Sequence, residues 1–143
     1  MNSSALRQAV RDRAMSTPST ELVDSKEVYA HWRRSGRSPV HQEICIGVPS
    51  SSPVDPSRQK PGVGQMVTED VLVGISFQLR AAEDREVDGD ALLDLEQKVR
   101  NHLLINWSQT LRMTWTNSDR NAGPDGWLYS EIQFKAYHFD TLS

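Results

Sequence analysis

Residues Val67 to Leu104 read VTEDVLVGISFQLRAAEDREVDGDALLDLEQKVRNHLL and divide into two halves with different periodicities. In the first half, apolar side chains alternate with polar or small ones, apart from Leu72: Val71, Val73, Ile75, Phe77 and Leu79. This period of two predicts a half-buried β-strand. In the second half, over 91–104, apolar residues recur at helical spacing: Leu92, Leu95, Val99 and Leu103. A long strand that leads into an amphipathic helix indicates a sheet with a helix on one face.

The composition fits one domain over residues 1–143, a length that suffices for a core. A hydrophobic content of 37% and a charged content of 24% argue against disorder throughout. The net charge of -3 argues against a dedicated nucleic-acid binder, whose domain is usually basic. Cys45 is the single cysteine, so neither an internal disulfide nor a cysteine metal cluster is expected.

Neither a membrane span nor a secretion signal is expected from the sequence. No apolar run approaches the length of a transmembrane helix. The first residues, MNSS, lack the apolar region of a signal peptide. We therefore expect the protein to be made in the cytoplasm and to have no membrane partner.

Two helices are expected. Ser3 or Ser4 can cap a helix near the N-terminus, and Asp88 or Asp90 can cap the helix at 91–104. In the second helix acidic residues lie early and basic residues lie late, an order that suits the helix dipole.

The remaining segments predict further strands. Alternating residues on both sides of a basic turn indicate a hairpin from about 27 to 48. A strand near 111–116, a polar loop over 117–126 and a last strand over 127–139 follow. Together these elements predict an α+β fold: a mostly antiparallel sheet of about four to five strands, with an N-terminal helix and a second helix packed on it.

A long irregular loop is expected at 49–66, because this segment carries four prolines and cannot form a central strand. Loops of this length inside a domain are usually functional or disordered. We expect it to project from two central strands and to contact a partner through Arg58, Lys60 and the adaptable side chain of Met66. Deleting residues 50–60 should then leave the fold intact.

Both faces of the last strand carry aromatic or large apolar side chains. Trp127, Tyr129, Tyr137 and Phe139 share one face, and the other face is expected to pack inside the domain. Exposed aromatic surface often marks an interface. Either a neighbouring subunit or the first helix of the same chain is expected to cover it.

Few residues resemble a catalytic set. The four histidines share no metal-ligand spacing such as H-E-x-x-H, and structural roles are expected for them: His31, His41, His102 and His138. No serine lies in a G-x-S-x-G nucleophile elbow.

One acidic segment imitates the start of a calcium loop: Asp84, Glu86 and Asp88, followed by Gly89. At the position where that motif places a bidentate glutamate, this chain has Leu95, which belongs to the apolar stripe of the helix. We therefore expect a solvated acidic turn, no bound metal, no cofactor and no enzymatic activity.

Basic residues on two turns and the exposed side chains above are the candidates for contact with a partner. Surface charges of this kind are usually solvated, and otherwise they bind phosphates or acidic protein surfaces. The candidate partner-binding residues are Arg33, Arg34, Arg37, Arg58, Lys60, Met66, Tyr129 and Tyr137.

Several stretches together carry a resemblance to a known family: LRQAV at 6–10, the strands beginning near 28–29 and 39–40, the strand from 71 into Arg80-Ala81, the helix at 91–104 and the aromatic strand at 128–139. In this order they resemble the tail terminator proteins of long, non-contractile-tailed phages of the lambda type. The resemblance covers nearly the whole chain as a pattern of elements, without a signature motif. The loop at 49–66 is longer than expected for that family.

The resemblance implies a small α+β subunit that forms a homohexameric ring on the end of the tail tube. The ring would end polymerisation of the tube protein and present a surface to the neck or connector protein. Genomic DNA would pass through its lumen without sequence-specific binding. The implied location is the virion, at the head-proximal end of the tail, after synthesis in the host cytoplasm.

Two other interpretations stay open at this point. A neck or head-completion protein of the head-tail connector has the same size and design. A small ligand-binding α+β domain or enzyme would instead need a pocket with convergent polar groups and shifted pKa values. The sequence contains no candidate set for such a pocket.

Overall fold

The described residues form two helices and five strands. The computed structural model describes residues 1–28, 39–55, 64–79, 85–105, 107–108, 110–123 and 126–140. In chain order the elements are α1 (Ser3–Met15), β1 (Val23–Val28), β2 (Glu43–Pro53), β3 (Gln65–Gln78), α2 (Arg85–Leu104), β4 (Leu111–Ala122) and β5 (Trp127–Asp140).

The five strands form one sheet in the order β1-β2-β3-β5-β4. β1 runs parallel to β2, and every other neighbouring pair is antiparallel. β3 and β5 pair along their whole length, from Gln65 opposite Asp140 to Gln78 opposite Trp127. The predicted α+β fold, with a mostly antiparallel sheet and two helices, is confirmed.

Both helices pack on the same face of the sheet, which we call the helix face. α1 contributes its buried positions Leu6, Val10 and Ala14 to the core. The predicted stripe of α2 is buried against the strands: Leu92, Leu95, Val99 and Leu103. The facing residues of β3 are buried as predicted: Val71, Val73, Ile75 and Phe77. Leu79 is only half buried because it lies beyond the end of β3.

The predicted hairpin over 27–48 is wrong. The first strand lies earlier, at Val23–Val28, and pairs parallel to β2 with Val23 opposite Glu43. Parallel neighbours need a crossover connection rather than a tight turn, yet side chains alternate in the same way for either strand direction. Residues 29–38, which include the predicted basic turn, lie outside the described residues.

The predicted irregular loop at 49–66 is shorter than expected. β2 continues to Pro53 and pairs with β3 up to Val67, while β3 itself begins at Gln65. Pro49 lies at the register shift after Gly47, and Pro53 ends the strand. A missing N–H is tolerated at such positions. Deleting 50–60 would remove a paired part of β2, so the premise that this whole segment is an unpaired loop is wrong, and we now expect the deletion to destabilise the sheet.

Both predicted helix caps are wrong by a few residues. The Oδ1 atom of Asn2 accepts a hydrogen bond from the Ala5 amide at 2.8 Å, so Asn2 caps α1 in place of Ser3 or Ser4. α2 already begins at Arg85, and Asp88 therefore lies inside the helix together with Asp90.

The predicted polar loop at 117–126 is also mostly strand. β4 continues to Ala122, which lies opposite Leu128 of β5. Within the described part of the chain, β4 is the edge strand of the sheet and has β5 as its one neighbour. Its second half is largely exposed, so it can be polar on both faces and shows no apolar alternation.

Candidate partner-binding surface

β5 divides its side chains between the two faces of the sheet. Phe134 is buried in the helix-face core. Tyr129, Tyr137 and Phe139 lie an odd number of positions along the strand from Phe134. They therefore point to the opposite face, which we call the outer face. α1 packs in the helix-face core, so the interpretation in which the first helix covers these aromatics is wrong.

A groove of about 470 Å³ crosses the outer face at one end of the sheet. Its described lining residues, which we call the Tyr137 groove, are Met66, Thr110, Leu111, Arg112, Thr114 and Tyr137. Met66 is 47% exposed, and Phe139 on the facing strand is 46% exposed. Arg112 is exposed as well. The groove therefore combines apolar and aromatic walls with a cation.

Three buried polar atoms at the same end of the sheet have no hydrogen-bond partner within the described part of the chain. They are Oε1 of Gln65, Oγ1 of Thr68 and Nδ1 of His138. The register places them close along the sheet but on different faces: Gln65 and His138 lie on the helix face, whereas Thr68, opposite Tyr137, lies on the outer face. Buried polar atoms are nearly always paired in folded proteins. Oγ1 of Thr68 is therefore the unpaired atom on the face of the groove, and it favours a surface that is completed by a partner.

A buried carboxylate lies on the helix face behind this groove. Glu69 accepts hydrogen bonds from His138 Nε2 at 2.5 Å and from Ser51 Oγ at 2.5 Å. Ser3 Oγ, at the start of α1, donates to the same carboxylate. Glu69 and His138 are both almost fully buried. The cluster joins α1, β2, β3 and β5 at one point.

These contacts determine the ionisation of Glu69. Burial by itself raises the pKa of the carboxyl group, because the charged form loses its hydration. The hydrogen bonds from Ser3, Ser51 and His138 outweigh that effect and hold the pKa of Glu69 below its ordinary value. Glu69 is therefore ionised in the folded protein near neutral pH.

A second buried carboxylate, Glu96 of α2, lies towards the other end of the sheet. Arg120 of β4 donates to both of its oxygens, at 2.6 and 2.9 Å, and Ser130 Oγ donates at 2.6 Å. The same contact raises the pKa of the Arg120 guanidinium. This network attaches α2 to β4 and β5 through charge-assisted hydrogen bonds.

The structure brings together only part of the predicted partner-binding set. Met66 and Tyr137 line the same groove, whereas Tyr129 lies eight residues from Tyr137 along β5, roughly 27 Å away. The predicted basic residues lie outside the described residues: Arg33, Arg34, Arg37, Arg58 and Lys60.

Sequence reasoning missed Arg112 and Thr114. Both alternate with Leu111 and Met113, which are buried in the core, so the sequence does place them on the outer face. What it lacked was the strand order. β5 enters the sheet between β3 and β4, and this order sets Arg112 directly opposite Tyr137.

The acidic segment that imitates a calcium loop is helical from Arg85 onwards, so Asp88 and Gly89 lie on the first turns of α2. Among the described residues, no three His, Cys, Asp or Glu side chains are grouped so that they could hold a metal ion. No described helix is both long and apolar enough to cross a membrane. Neither the protein-family models nor the curated proteins compared with this sequence match it.

Proposed function

We propose that this chain is a tail terminator of a phage with a long, non-contractile tail. Six copies would form a ring that caps the tail tube, ends its polymerisation and joins the tail to the neck or connector protein of the head. Genomic DNA would pass through the lumen without sequence-specific contacts. The role is structural and involves no catalytic step.

The Tyr137 groove is the observation that carries this proposal. Tyrosine, methionine and arginine are enriched in the cores of protein interfaces, and the groove offers Tyr137, Met66 and Arg112 side by side. Oγ1 of Thr68, which has no partner among the described residues, lies beside Tyr137 on the same face. Such a surface suits binding to another protein.

The architecture and the charge are further support. An α+β subunit with an N-terminal helix and a second helix on the sheet is what the resemblance to tail terminators implies. The chain also carries a net charge of -3. An acidic protein repels the phosphate backbone, which suits a ring through which DNA must slide without adhering.

A tube-capping assay tests the proposal. Tail tube protein is polymerised with and without this protein, and tube lengths and ends are measured by electron microscopy. We expect the protein to shorten the length distribution and to leave a ring at one tube end. Tubes that elongate equally in both samples would contradict the proposal, and binding to filled heads without capping would indicate a neck protein.

A matched pair of variants links the assay to the groove. Met66 and Val23 are exposed to similar extents, but Val23 lies on β1 at the other edge of the sheet. Met66→Asp should abolish capping, whereas Val23→Asp should retain it. Equal capping by both variants would remove the groove from the proposal.

A further inference from the structure

A ring requires two different complementary patches on each subunit, because its contacts are head-to-tail. The Tyr137 groove supplies one patch, on the outer face at the end of the sheet where β3 begins. The second must lie elsewhere on the subunit and must match an apolar groove that carries a cation.

α2 carries a surface with these properties. Val87, Asp90 and Leu93 follow one another at intervals of three residues, a spacing that places them along the exposed side of a helix. Val87 is 66% exposed and Leu93 is 43% exposed, and Asp90 between them is exposed as well. We call these three residues the α2 ridge. It is apolar at both ends and acidic in the middle.

The α2 ridge lies far from the Tyr137 groove of the same subunit. α2 begins shortly after β3 ends at Gln78. Leu93 of α2 and Leu128 of β5 line the same notch, and Leu128 lies opposite Phe77 near that end of β3. The groove lies at the other end of β3, near Met66. Met66 and Phe77 are roughly 37 Å apart along the strand. The ridge also lies on the helix-face side of the sheet, whereas the groove lies on the outer face. The two surfaces can meet only between different copies.

Charges near each surface make the pair complementary. Arg112 is the charged side chain among the described residues that line the groove. Near the ridge, Arg120 is engaged by the buried Glu96, which leaves Asp90 as the outward-facing charge of the ridge. An amphipathic helix that lays an apolar face into a groove is a common mode of recognition.

We propose that the α2 ridge of one copy docks in the Tyr137 groove of the next, with Asp90 against Arg112 and Leu93 against Met66 and Tyr137. The apolar notch beside the ridge, which includes Leu93 and Leu128, receives Phe139 of that neighbour. This contact repeats around the ring, and the inference rests on the proposed ring.

Charge reversal tests the polar part of the contact. Asp90→Lys or Arg112→Glu alone should abolish ring formation on tail tubes, because each places like charges together. Both substitutions in one chain should restore it. Asp12→Lys and Lys98→Glu, at other exposed positions on the helices, are the matched controls and should form rings normally.

Cross-linking tests the geometry. Cys45 is buried, so an engineered pair of surface cysteines can be oxidised selectively. Leu93→Cys combined with Met66→Cys should give a ladder of covalent oligomers up to six copies on assembled tails. Leu93→Cys combined with Val23→Cys should give none. Normal rings without the ladder of cross-linked oligomers would overturn this contact. Rings from both single charge variants would overturn it as well. Either result would leave the terminator proposal standing. Tails without any ring would overturn both.

Discussion

The two ends of the sheet each bury a glutamate on the helix face, but they stabilise it in different ways. Towards the end where α2 begins, Glu96 is paired with the guanidinium of Arg120 and with Ser130. At the groove end, Glu69 depends on hydroxyl groups from two other elements and on an imidazole whose second nitrogen has no partner among the described residues. Among the described residues, the buried side-chain polar atoms without a partner lie at the second end, and one of them, Oγ1 of Thr68, is on the face of the candidate partner-binding surface.

The largest difference between the ends is expected in the core of β3. Phe77 is 4% exposed and packs under α2, so Phe77→Ala should lower the free energy of unfolding by about 3–5 kcal/mol. Met66→Ala, near the other end of the same strand and half exposed, should change it by about 0.5 kcal/mol or less. Chemical denaturation measures both. An unchanged midpoint for Phe77→Ala would contradict the assigned packing.

The two carboxylates should also differ when they are removed. Glu69→Ala leaves buried His138 without its partner and should cost about 3 kcal/mol. Glu96→Ala should cost about 2 kcal/mol, because the half-exposed Arg120 can turn to water and only Ser130 stays buried without a partner. Chemical denaturation of both variants shows which substitution lowers the free energy of unfolding more. A larger loss for Glu96→Ala would reverse the comparison.

The groove end should be the acid-sensitive one. The folded pKa of Glu69 lies below the ordinary value of 4.5, so its ionised form stabilises the fold above pH 4.5. That stabilisation is lost as the pH falls from 4.5 through the folded pKa. Wild-type protein should therefore lose stability more steeply below pH 4.5 than Glu69→Gln, which cannot titrate. Denaturation midpoints that fall in parallel for the two proteins would exclude this role of Glu69.

The smallest effect is expected from calcium at the start of α2. Asp88 and Asp90 are helical there, and a helix cannot wrap around an ion as a calcium loop does. Millimolar calcium should leave the Tm unchanged, since only a ligand that binds the folded state raises it. A saturable rise in Tm would show that this segment binds the ion.

Sequence periodicity predicted the centre of this molecule well. The alternation from Val71 to Phe77 and the stripe from Leu92 to Leu103 are buried as expected, because both elements have one apolar and one polar side. The same rule failed at the edges. β4 is polar beyond Trp115 and β2 contains two prolines, yet both segments are strands, because an edge strand or a bulge does not require apolar alternation.

The candidate site was predictable only in part for a related reason. Alternation placed Tyr137 on a face with other aromatics, and the composition of 49–66 drew attention to Met66. Strand order and direction are properties of the whole sheet, so Arg112 could not be assigned to the same groove. The unpaired atoms of Thr68 and His138 depend on burial, which a sequence pattern does not contain.

Imaging of tail-tube ends tests the central claim most directly. Tubes polymerised with the wild-type protein should end in a sixfold ring, and tubes polymerised with Met66→Asp should elongate without one. Val23→Asp should behave like the wild type. Tubes that elongate freely beside monomeric wild-type protein would contradict the terminator function. A ring that forms equally well with Met66→Asp would contradict the role of the Tyr137 groove.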